Sequence, residues 1–391
     1  MKNAPLFVDM GYCQCRKHGQ DTCGDAFKYR KIPEEHRLVA VLSDGLGSGV
    51  KANILATMTA AMALKFAAEN TELVRSAEIM MSALPICSVR KTSYATFTIL
   101  DTALNGSAHI VEMGNPPFLL IREGRGVQVP YHDVDSPKWE NRTMRVYDFE
   151  VYPEDRLVLF SDGISQAGMG SKAYPPGWKV QGCLEFIEST IDARPGISAH
   201  ELADAVIREA LQKEAGLAGD DMTCAAVYYR VPRRMLLFTG APYDRSRDAE
   251  CAAMLAAFEG DKAVCGGTTA EIIARELKRQ VKMNLSTAAG DLPPESEIEG
   301  INLVTEGIFT LTRTAQYLEG DAGVNRRNAA GELVEILLRN DIIEFVVGTR
   351  INEAHQDPNL PVDLEIRRNI IKRLAQVLEN KYLKEVNIRY V

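Results

Sequence analysis

The sequence lacks long hydrophobic runs. A membrane-spanning helix needs about 18 or more consecutive apolar residues, and the longest candidate, residues 54–68, is interrupted by Thr57, Thr59 and Lys65. The first residues, MKNAPLFVDM, also lack the apolar segment of a secretory signal. We therefore expect a cytoplasmic protein with no membrane partner.

Positive charge is scarce as well. The chain has 45 Lys and Arg residues against 53 Asp and Glu residues, which gives a net charge of −8. Nucleic-acid binding relies on a basic patch or stripe, whereas the arginine pairs 233–234, 326–327 and 367–368 are short and far apart in sequence. We expect no nucleic-acid partner.

Cysteine is sparse, with eight residues in 391, so we expect reduced thiols rather than a disulfide framework. Three of them lie close together with a histidine in GYCQCRKHGQDTC: Cys13, Cys15, His18 and Cys23. The spacing differs from the C-x2-C turns of zinc sites. Free thiols on a strand and its following turn are the simpler interpretation, and a redox or metal role stays open.

Apolar material is plentiful, at 46% of the residues, and its pattern changes near VPRR, residues 231–234. Before this point short strands dominate. Beyond it strands alternate with helices, which is typical of an α/β domain with a largely parallel sheet. We therefore place two domains, at residues 1–231 and 235–391. The predicted helices cover about 50–68, 72–84, 181–191, 198–214, 246–258, 269–283, 307–319, 328–340 and 365–382.

Aspartates recur where apolar runs end or glycine turns the chain. The four sites are Gly24-Asp25, Asp44-Gly45, Asp162-Gly163 and Gly219-Asp220-Asp221. A single Asp-Gly pair is most simply a turn. Four together predict a cluster of hard oxygen ligands, which suits Mg²⁺ or Mn²⁺. Two such ions can activate a water for in-line attack on phosphorus.

Five segments around these sites resemble, in order, the motifs of the PPM (PP2C-like) metal-dependent serine/threonine phosphatases, and most closely the bacterial sporulation stage II E (SpoIIE) type. They are CGDAF, SDGLGSGVKAN, GNPPFLL, SDGISQA and GDDMTCAAV. The resemblance covers roughly residues 5–230. It implies an α+β fold: an αββα PP2C-like sandwich of two antiparallel sheets flanked by helices, followed here by a smaller α/β domain. It also implies hydrolysis of phosphoserine or phosphothreonine on a protein.

The resemblance implies two divalent ions, Mn²⁺ or Mg²⁺, and roles for the aspartates. Asp44 would bridge both ions. Asp25 and the carbonyl of Gly45 would complete the first site, while Asp162 and Asp221 would hold the second ion. The implied catalytic residues are therefore Asp25, Asp44, Asp162 and Asp221.

Other matched positions have smaller roles. Asp220 ranks below its neighbour, because one residue of an adjacent acidic pair usually faces away. Asn115 stands where relatives carry His in a structural turn, and Gln166 where they often carry Glu. Arg16 or Lys17 is a candidate contact for the substrate phosphate.

The helix at 50–68 is apolar on nearly all sides, and in the resembling family this helix transmits regulation. It is either a plain packing helix or one with a second partner surface, provided by a homodimer or by the C-terminal domain. The expected substrate is a small phosphoprotein, of the type of an anti-sigma-factor antagonist.

The C-terminal domain has a glycine-rich strand-to-helix turn, which can bind an anion. Thr268 and Glu271 have the spacing of a capping box, so an ordinary capped helix is an equal interpretation. The strand ends of an open α/β sheet line its ligand crevice, where His355, Asp357 and Cys265 would also lie. The candidate ligand site comprises Gly266, Gly267, Thr268, Thr269, Glu306 and Arg350.

Three functions follow from these patterns. The first is a metal-dependent protein phosphatase that its C-terminal domain regulates. The second is a phosphatase-fold sensor with little turnover, which acts through the C-terminal ligand site. The third is a redox or metal-cluster protein built on Cys13, Cys15 and Cys23. The complete set of aspartates favours the first.

Overall fold

The computed structural model describes residues 6–69, 71–72, 75–76, 78–80, 95–103, 106–135, 143–284, 295–320, 328–350 and 360–391. The chain divides into two compact units, Met1–Val231 and Pro232–Val391. Each unit has its own hydrophobic clusters among the described residues.

The first unit is built on two antiparallel sheets. Over the described ranges, one sheet has the order β1-β11-β10-β6-β7 and the other β2-β3-β4-β5-β9-β8. The strands are β1 Phe7–Cys15, β2 Asp25–Ile32, β3 Arg37–Gly45, β4 Ala95–Ala103, β5 Ser107–Met113, β6 Leu119–Arg122, β7 Arg125–Val127, β8 His132–Asp135, β9 Thr143–Glu150, β10 Arg156–Phe160 and β11 Met222–Arg230.

Helices cover the outer face of each sheet. They are α1 Val50–Ala68, the single turn α2 Asp162–Ser165, α3 Lys179–Ala193 and α4 Ala199–Lys213. α1 packs its alanines, such as Ala56 and Ala60, against Val39 and Val41 of the β2–β3 sheet. α3 and α4 pack against the β1–β11 sheet, and α4 begins at a capping box of Ser198 and Glu201. The predicted αββα sandwich is confirmed.

Strand β11 shows why the two sheets face each other. Its alternate residues Met222, Cys224, Ala226 and Tyr228 pack in the cluster with α3 and α4. The residues between them point to the other sheet: Thr223 contacts Asp25 on β2, and Tyr229 contacts Thr102 on β4. A strand that is buried on both faces in this way is apolar nearly throughout.

The second unit is an α/β layer structure. Its sheet has the order β14-β15-β16-β13-β12-β17-β18 over the described residues, and the five strands from β16 to β18 in this order pair in parallel. The elements are β12 Arg234–Thr239, α5 Asp248–Ala257, β13 Asp261–Cys265, α6 Gly267–Leu277, β14 Lys282–Asn284, β15 Glu295–Glu297, β16 Leu303–Thr305, α7 Ile308–Glu319, α8 Ala329–Arg339, β17 Ile342–Val347, α9 Leu360–Tyr382 and β18 Glu385–Tyr390.

Two local predictions for these elements were wrong. α6 begins at Gly267, directly after Gly266 turns the chain with φ 128°, so Thr268 lies inside the first helical turn and forms no capping box with Glu271. The helix predicted to reach residue 283 ends at Leu277, because Lys278 adopts a left-handed conformation that stops it. The predicted helix at 72–84 lies largely outside the described residues.

Candidate functional site

Two of the predicted aspartates face each other on neighbouring strands. Asp25, the first residue of β2, is the direct cross-strand partner of Asp44 near the end of β3. Gly45 ends β3. Like charges at directly opposed positions destabilise a sheet. The pair therefore needs a proton or a cation between its carboxylates.

The other sheet supplies two more carboxylates. Asp162 begins α2 immediately after β10, and Asp221 lies immediately before β11. A Cβ atom on Gly163 would lie 2.1 Å from the Asp221 carbonyl oxygen, and one on Gly24 would lie 2.6 Å from Asp221 Oδ2. Glycine at these two positions is what lets the loops of the two sheets meet beside the carboxylates.

The carboxylates disfavour one another's ionisation. Burial, assisted by the negative charges of Asp25 and Asp162, raises the pKa of Asp44 to about 9. Burial, together with Asp221 and Asp162, raises the pKa of Asp25 to about 6. Burial and the charge of Asp220 also raise the pKa of Asp162. Buried carboxylates with raised pKa values are typical of functional sites.

Protein donors orient three of the four carboxylates. Thr223 Oγ1 donates to Asp25 Oδ2 at 2.7 Å, and Gln166 Nε2 donates to Asp162 Oδ2 at 2.9 Å. The backbone N–H of Lys17 donates to Asp221 Oδ1 at 2.9 Å. The sequence had singled out neither Thr223 nor the donor role of Gln166. A threonine in an otherwise apolar strand was the available signal.

The residues fit a divalent cation in their chemistry. Asp221 Oδ2 is buried and has no hydrogen-bond partner of normal geometry within the described ranges, although the weakly donating Cys23 thiol lies near this carboxylate. A hard cation is the natural partner for such an oxygen among other carboxylates. Among the described residues, no three Asp, Glu, His or Cys side chains converge closely enough to hold an ion. Asp25 accepts a hydrogen bond from Thr223, and Asp162 contacts both Gln166 and Asp44.

The minor candidates at this site are engaged in protein contacts. Asp220 Oδ1 accepts a hydrogen bond from the Asp221 N–H at 3.0 Å and lies 3.5 Å from Lys17 Nζ. Arg16 Nη1 donates to the backbone oxygen of Asp21 at 3.2 Å.

Asn115 donates to Thr98 Oγ1 and contacts Thr96 Oγ1, next to the strand that carries Asp44. The role of Asn115 in this position is to hold a turn against β4.

Helix α1 lies directly against the site. A Cβ atom on Gly45 would lie 2.1 Å from the carbonyl oxygen of Ala52. Asn53 Nδ2 also donates to the Cys23 oxygen at 2.8 Å, which ties α1 to the loop before Asp25. Any displacement of α1 therefore acts on the backbone of two candidate ligands.

The cysteines near the site are protonated thiols. Cys13, Cys15 and Cys23 are half-buried and form no disulfide with one another. Burial raises the pKa of each of these thiols, and that of Cys23 to about 12. Thiolates, rather than thiols, bind metals and attack oxidants.

The candidate ligand site of the second unit is partly used for internal contacts. Arg350 Nη2 donates to Asp248 Oδ1 at 2.8 Å, and Glu306 Oε2 accepts from the Phe309 N–H at 3.1 Å. Thr269 is buried, whereas Gly267 and Thr268 are exposed at the start of α6. Gly266 donates its N–H to the Thr305 oxygen. Cys265 is buried, and His355 and Asp357 lie outside the described residues.

In the parts of the chain with described coordinates, no helix combines the length and the apolar character needed to cross a bilayer.

Comparison with known proteins adds a family and a set of similar structures. A family model, stage II sporulation protein E (SpoIIE), matches residues 34–230, about half of the chain. The PP2C phosphatase domain of SpoIIE from Bacillus subtilis, solved with a fragment of its regulatory domain, is 20% identical, with a TM-score of 0.46 over 57% of this chain and 63% of that one.

Two structures from Mycobacterium tuberculosis are also similar. A protein with RsbU and RsbW domains is 17% identical, with a TM-score of 0.49 over 63% of this chain and 68% of that one. The serine/threonine phosphatase PstP/Ppp is 16% identical, with a TM-score of 0.41 over 57% of this chain and 99% of that one. No curated protein sequence matches significantly.

Proposed function

The chain belongs to the stage II sporulation protein E (SpoIIE) family, and from this premise we propose that it is a metal-dependent phosphatase of phosphoserine or phosphothreonine in a protein. The supporting observation is that four aspartates from the strand ends of two sheets influence one another electrostatically: three of them have raised pKa values, and the fourth, Asp221, has a buried oxygen with no hydrogen-bond partner of normal geometry among the described residues. Such a cluster is stable as an ionised group only with cations.

We assign the metal ligands as follows. Asp25, Asp44 and the carbonyl of Gly45 would hold one ion, and Asp44, Asp162 and Asp221 would hold the other, with Asp220 of secondary rank. Bound Mn²⁺ or Mg²⁺ supplies an activated water and neutralises charge on the phosphoryl oxygens. Gln166 keeps Asp162 oriented, and the N–H of Lys17 keeps Asp221 oriented.

We further propose a substrate, a location, a mode of regulation and an oligomeric state for this enzyme. The substrate is a regulatory bacterial phosphoprotein, of the type of an anti-sigma-factor antagonist, in the cytoplasm. The domain at 235–391 regulates the phosphatase domain at 1–231. α1 exposes Val50, Ile54 and Met58 along one side. This apolar face supports a homodimer through α1, which sedimentation velocity can measure.

Hydrolysis of para-nitrophenyl phosphate tests the activity, measured with Mn²⁺, with Mg²⁺ and with a chelator. We expect metal-dependent turnover that Asp44→Ala and Asp162→Ala each reduce by about 100-fold or more, since each removes a ligand. Asp192→Ala is the matched control, because this aspartate lies on the surface, where it forms an exposed ion pair with Arg125. Turnover that survives the chelator, or that both ligand variants retain, contradicts the proposal. Metal binding without turnover would instead favour a sensor.

A further inference from the structure

We propose that Thr223, held by Gln14, is the positioning residue that fixes the Asp25 carboxylate for metal binding. The inference rests on the proposed function, because it assigns a role at the same site. Thr223 is fully buried in β11, and Gln14 lies beside it on β1 as its cross-strand partner.

The hydrogen bonds around Thr223 run in one direction. An ionised carboxylate only accepts hydrogen bonds, so the hydroxyl of Thr223 donates to Asp25 Oδ2, at 2.7 Å. A lone pair of the same hydroxyl accepts from Gln14 Nε2 at 3.0 Å. Because Gln14 Nε2 donates to the oxygen of the Thr223 hydroxyl, the hydrogen of this hydroxyl stays directed at Asp25. Thr223 thereby fixes the position of Oδ2, and with it the orientation of the Asp25 carboxylate.

Thr223 also connects Asp25 to the residue before Asp162. The N–H of Thr223 donates to Ser161 Oγ at 2.9 Å, and the N–H of Ser161 donates to the Thr223 oxygen at 3.0 Å. Hydrogen bonds from Ser161 and Thr223 lower the pKa of Asp25, although burial outweighs them. One buried residue therefore contacts the carboxylate of one sheet and the backbone that leads to the carboxylate of the other.

The Thr223–Asp25 bond crosses from sheet to sheet. Asp25 is on β2, whereas Gln14 and Thr223 belong to the β1–β11 sheet. A second bond from the same face of β11 joins the sheets, where Tyr229 OH donates to Thr102 Oγ1 at 3.0 Å. It lies six residues further along the strand and far from the aspartates, so it offers a matched control.

The test is Mn²⁺ affinity by titration calorimetry on the full chain. Thr223→Val removes the hydroxyl and keeps the shape, and we expect a 10- to 100-fold weaker Kd, as is usual when a partner of a metal ligand is lost. Thr223→Ser keeps the hydroxyl and should restore binding. Gln14→Leu should weaken binding in the same direction. Thr102→Val removes the bond from Tyr229, which also joins the two sheets, and should leave the Kd unchanged.

Steady-state kinetics give a second measure. Saturating Mn²⁺ should recover most of kcat in Thr223→Val, because the defect lies in the metal dependence. Wild-type affinity in Thr223→Val, failure of Thr223→Ser to restore binding, or equal weakening in Thr102→Val would each overturn the inference. Absence of Mn²⁺ binding by the wild type would overturn the proposed function as well, so the two failures are distinguishable.

Discussion

At the scale of the residue, a buried glutamate shows how burial competes with hydrogen bonding. Glu112 is 3% exposed. Its Oε1 accepts from the Phe118 N–H at 2.8 Å, and its Oε2 accepts from Tyr147 OH at 3.0 Å. Both bonds favour the ionised form, yet burial outweighs them and raises the pKa of Glu112 to about 7. The folded protein thus binds this proton more tightly than the unfolded chain does.

This glutamate makes stability depend on pH. The contribution of the protonated carboxyl to the free energy of unfolding is complete below the unfolded pKa of about 4.3. It is lost as the pH rises through the folded pKa of about 7, because the unfolded chain releases this proton at a lower pH than the folded protein does. Glu112→Gln keeps an amide oxygen that can accept from the Phe118 N–H and places an NH2 group beside Tyr147 OH, which can accept from it, and the variant side chain does not titrate. Urea denaturation should show that wild type loses about 3 kcal/mol relative to Glu112→Gln between pH 4 and pH 8.

Exposed Glu185 on α3 provides the control for this pH dependence. Glu185→Gln should follow the wild-type pH profile, since the side chain is in solvent. Parallel profiles for wild type and Glu112→Gln would show that the buried carboxyl does not titrate as described.

At the scale of the element, the close approach of α1 to the end of β3 depends on a glycine, Gly45. Gly45→Ala would place a Cβ atom 2.1 Å from the Ala52 carbonyl oxygen, so α1 would have to move. We expect a loss of about 1–3 kcal/mol in the free energy of unfolding, as for other overpacked sites. Mn²⁺ binding should weaken as well, because the Gly45 carbonyl is a candidate ligand. Thermal unfolding and calorimetry measure the two effects.

A glycine with free space around it is the matched control for Gly45. Gly267 begins α6, and a Cβ atom there would meet nothing within 4 Å. Gly267→Ala should therefore leave Mn²⁺ binding unchanged and stability nearly so. Equal behaviour of Gly45→Ala and Gly267→Ala would refute the close approach of α1.

Apolar patterns predicted most of these elements, and the exceptions have physical causes. RLVAVLS at 37–43 is a continuous apolar run and forms β3. His132–Asp135 forms β8 although its sequence, HDVD, is mostly polar, because an edge strand can be exposed on its faces. The capping box predicted for α6 does not form, since the turn at Gly266 starts the helix earlier.

In the candidate site, too, local sequence patterns predicted some features and missed others. Glycine neighbours marked the aspartates in the sequence, because sharp turns leave a local pattern. The contacts of Thr223 with Gln14 and Asp25 depend on the pairing of β1 with β11 and on the packing of two sheets. Such contacts join residues that are far apart in sequence. No local pattern could have predicted which side chain Thr223 would meet.

At the scale of the whole molecule, the chain has two units that each enclose their own core. Phe345 is fully buried in the second unit with Met235 and Leu237. Phe345→Ala should cost about 3–5 kcal/mol and lower the unfolding transition of that unit. Mn²⁺ at a hundredfold excess over Kd should raise the other transition, by about 2.7 kcal/mol of stability. Differential scanning calorimetry separates the two. If Mn²⁺ instead raised the transition that Phe345→Ala lowers, the metal site would not belong to the first unit, and this assignment would be wrong.

The two pairs of candidate ligands also differ in their place along the chain. Asp25 and Asp44 lie near the start of the first unit, whereas Asp221 lies near its end, beside the last strand. A cation held by both pairs is a reversible cross-link that closes a loop of nearly the whole unit, and in terms of chain entropy a long closed loop gains the most from its link. Loss of the ion would therefore remove one connection between the early and late parts of this unit, while the pairing of β1 with β11 would remain, so the supply of divalent metal would act on the cohesion between the two sheets.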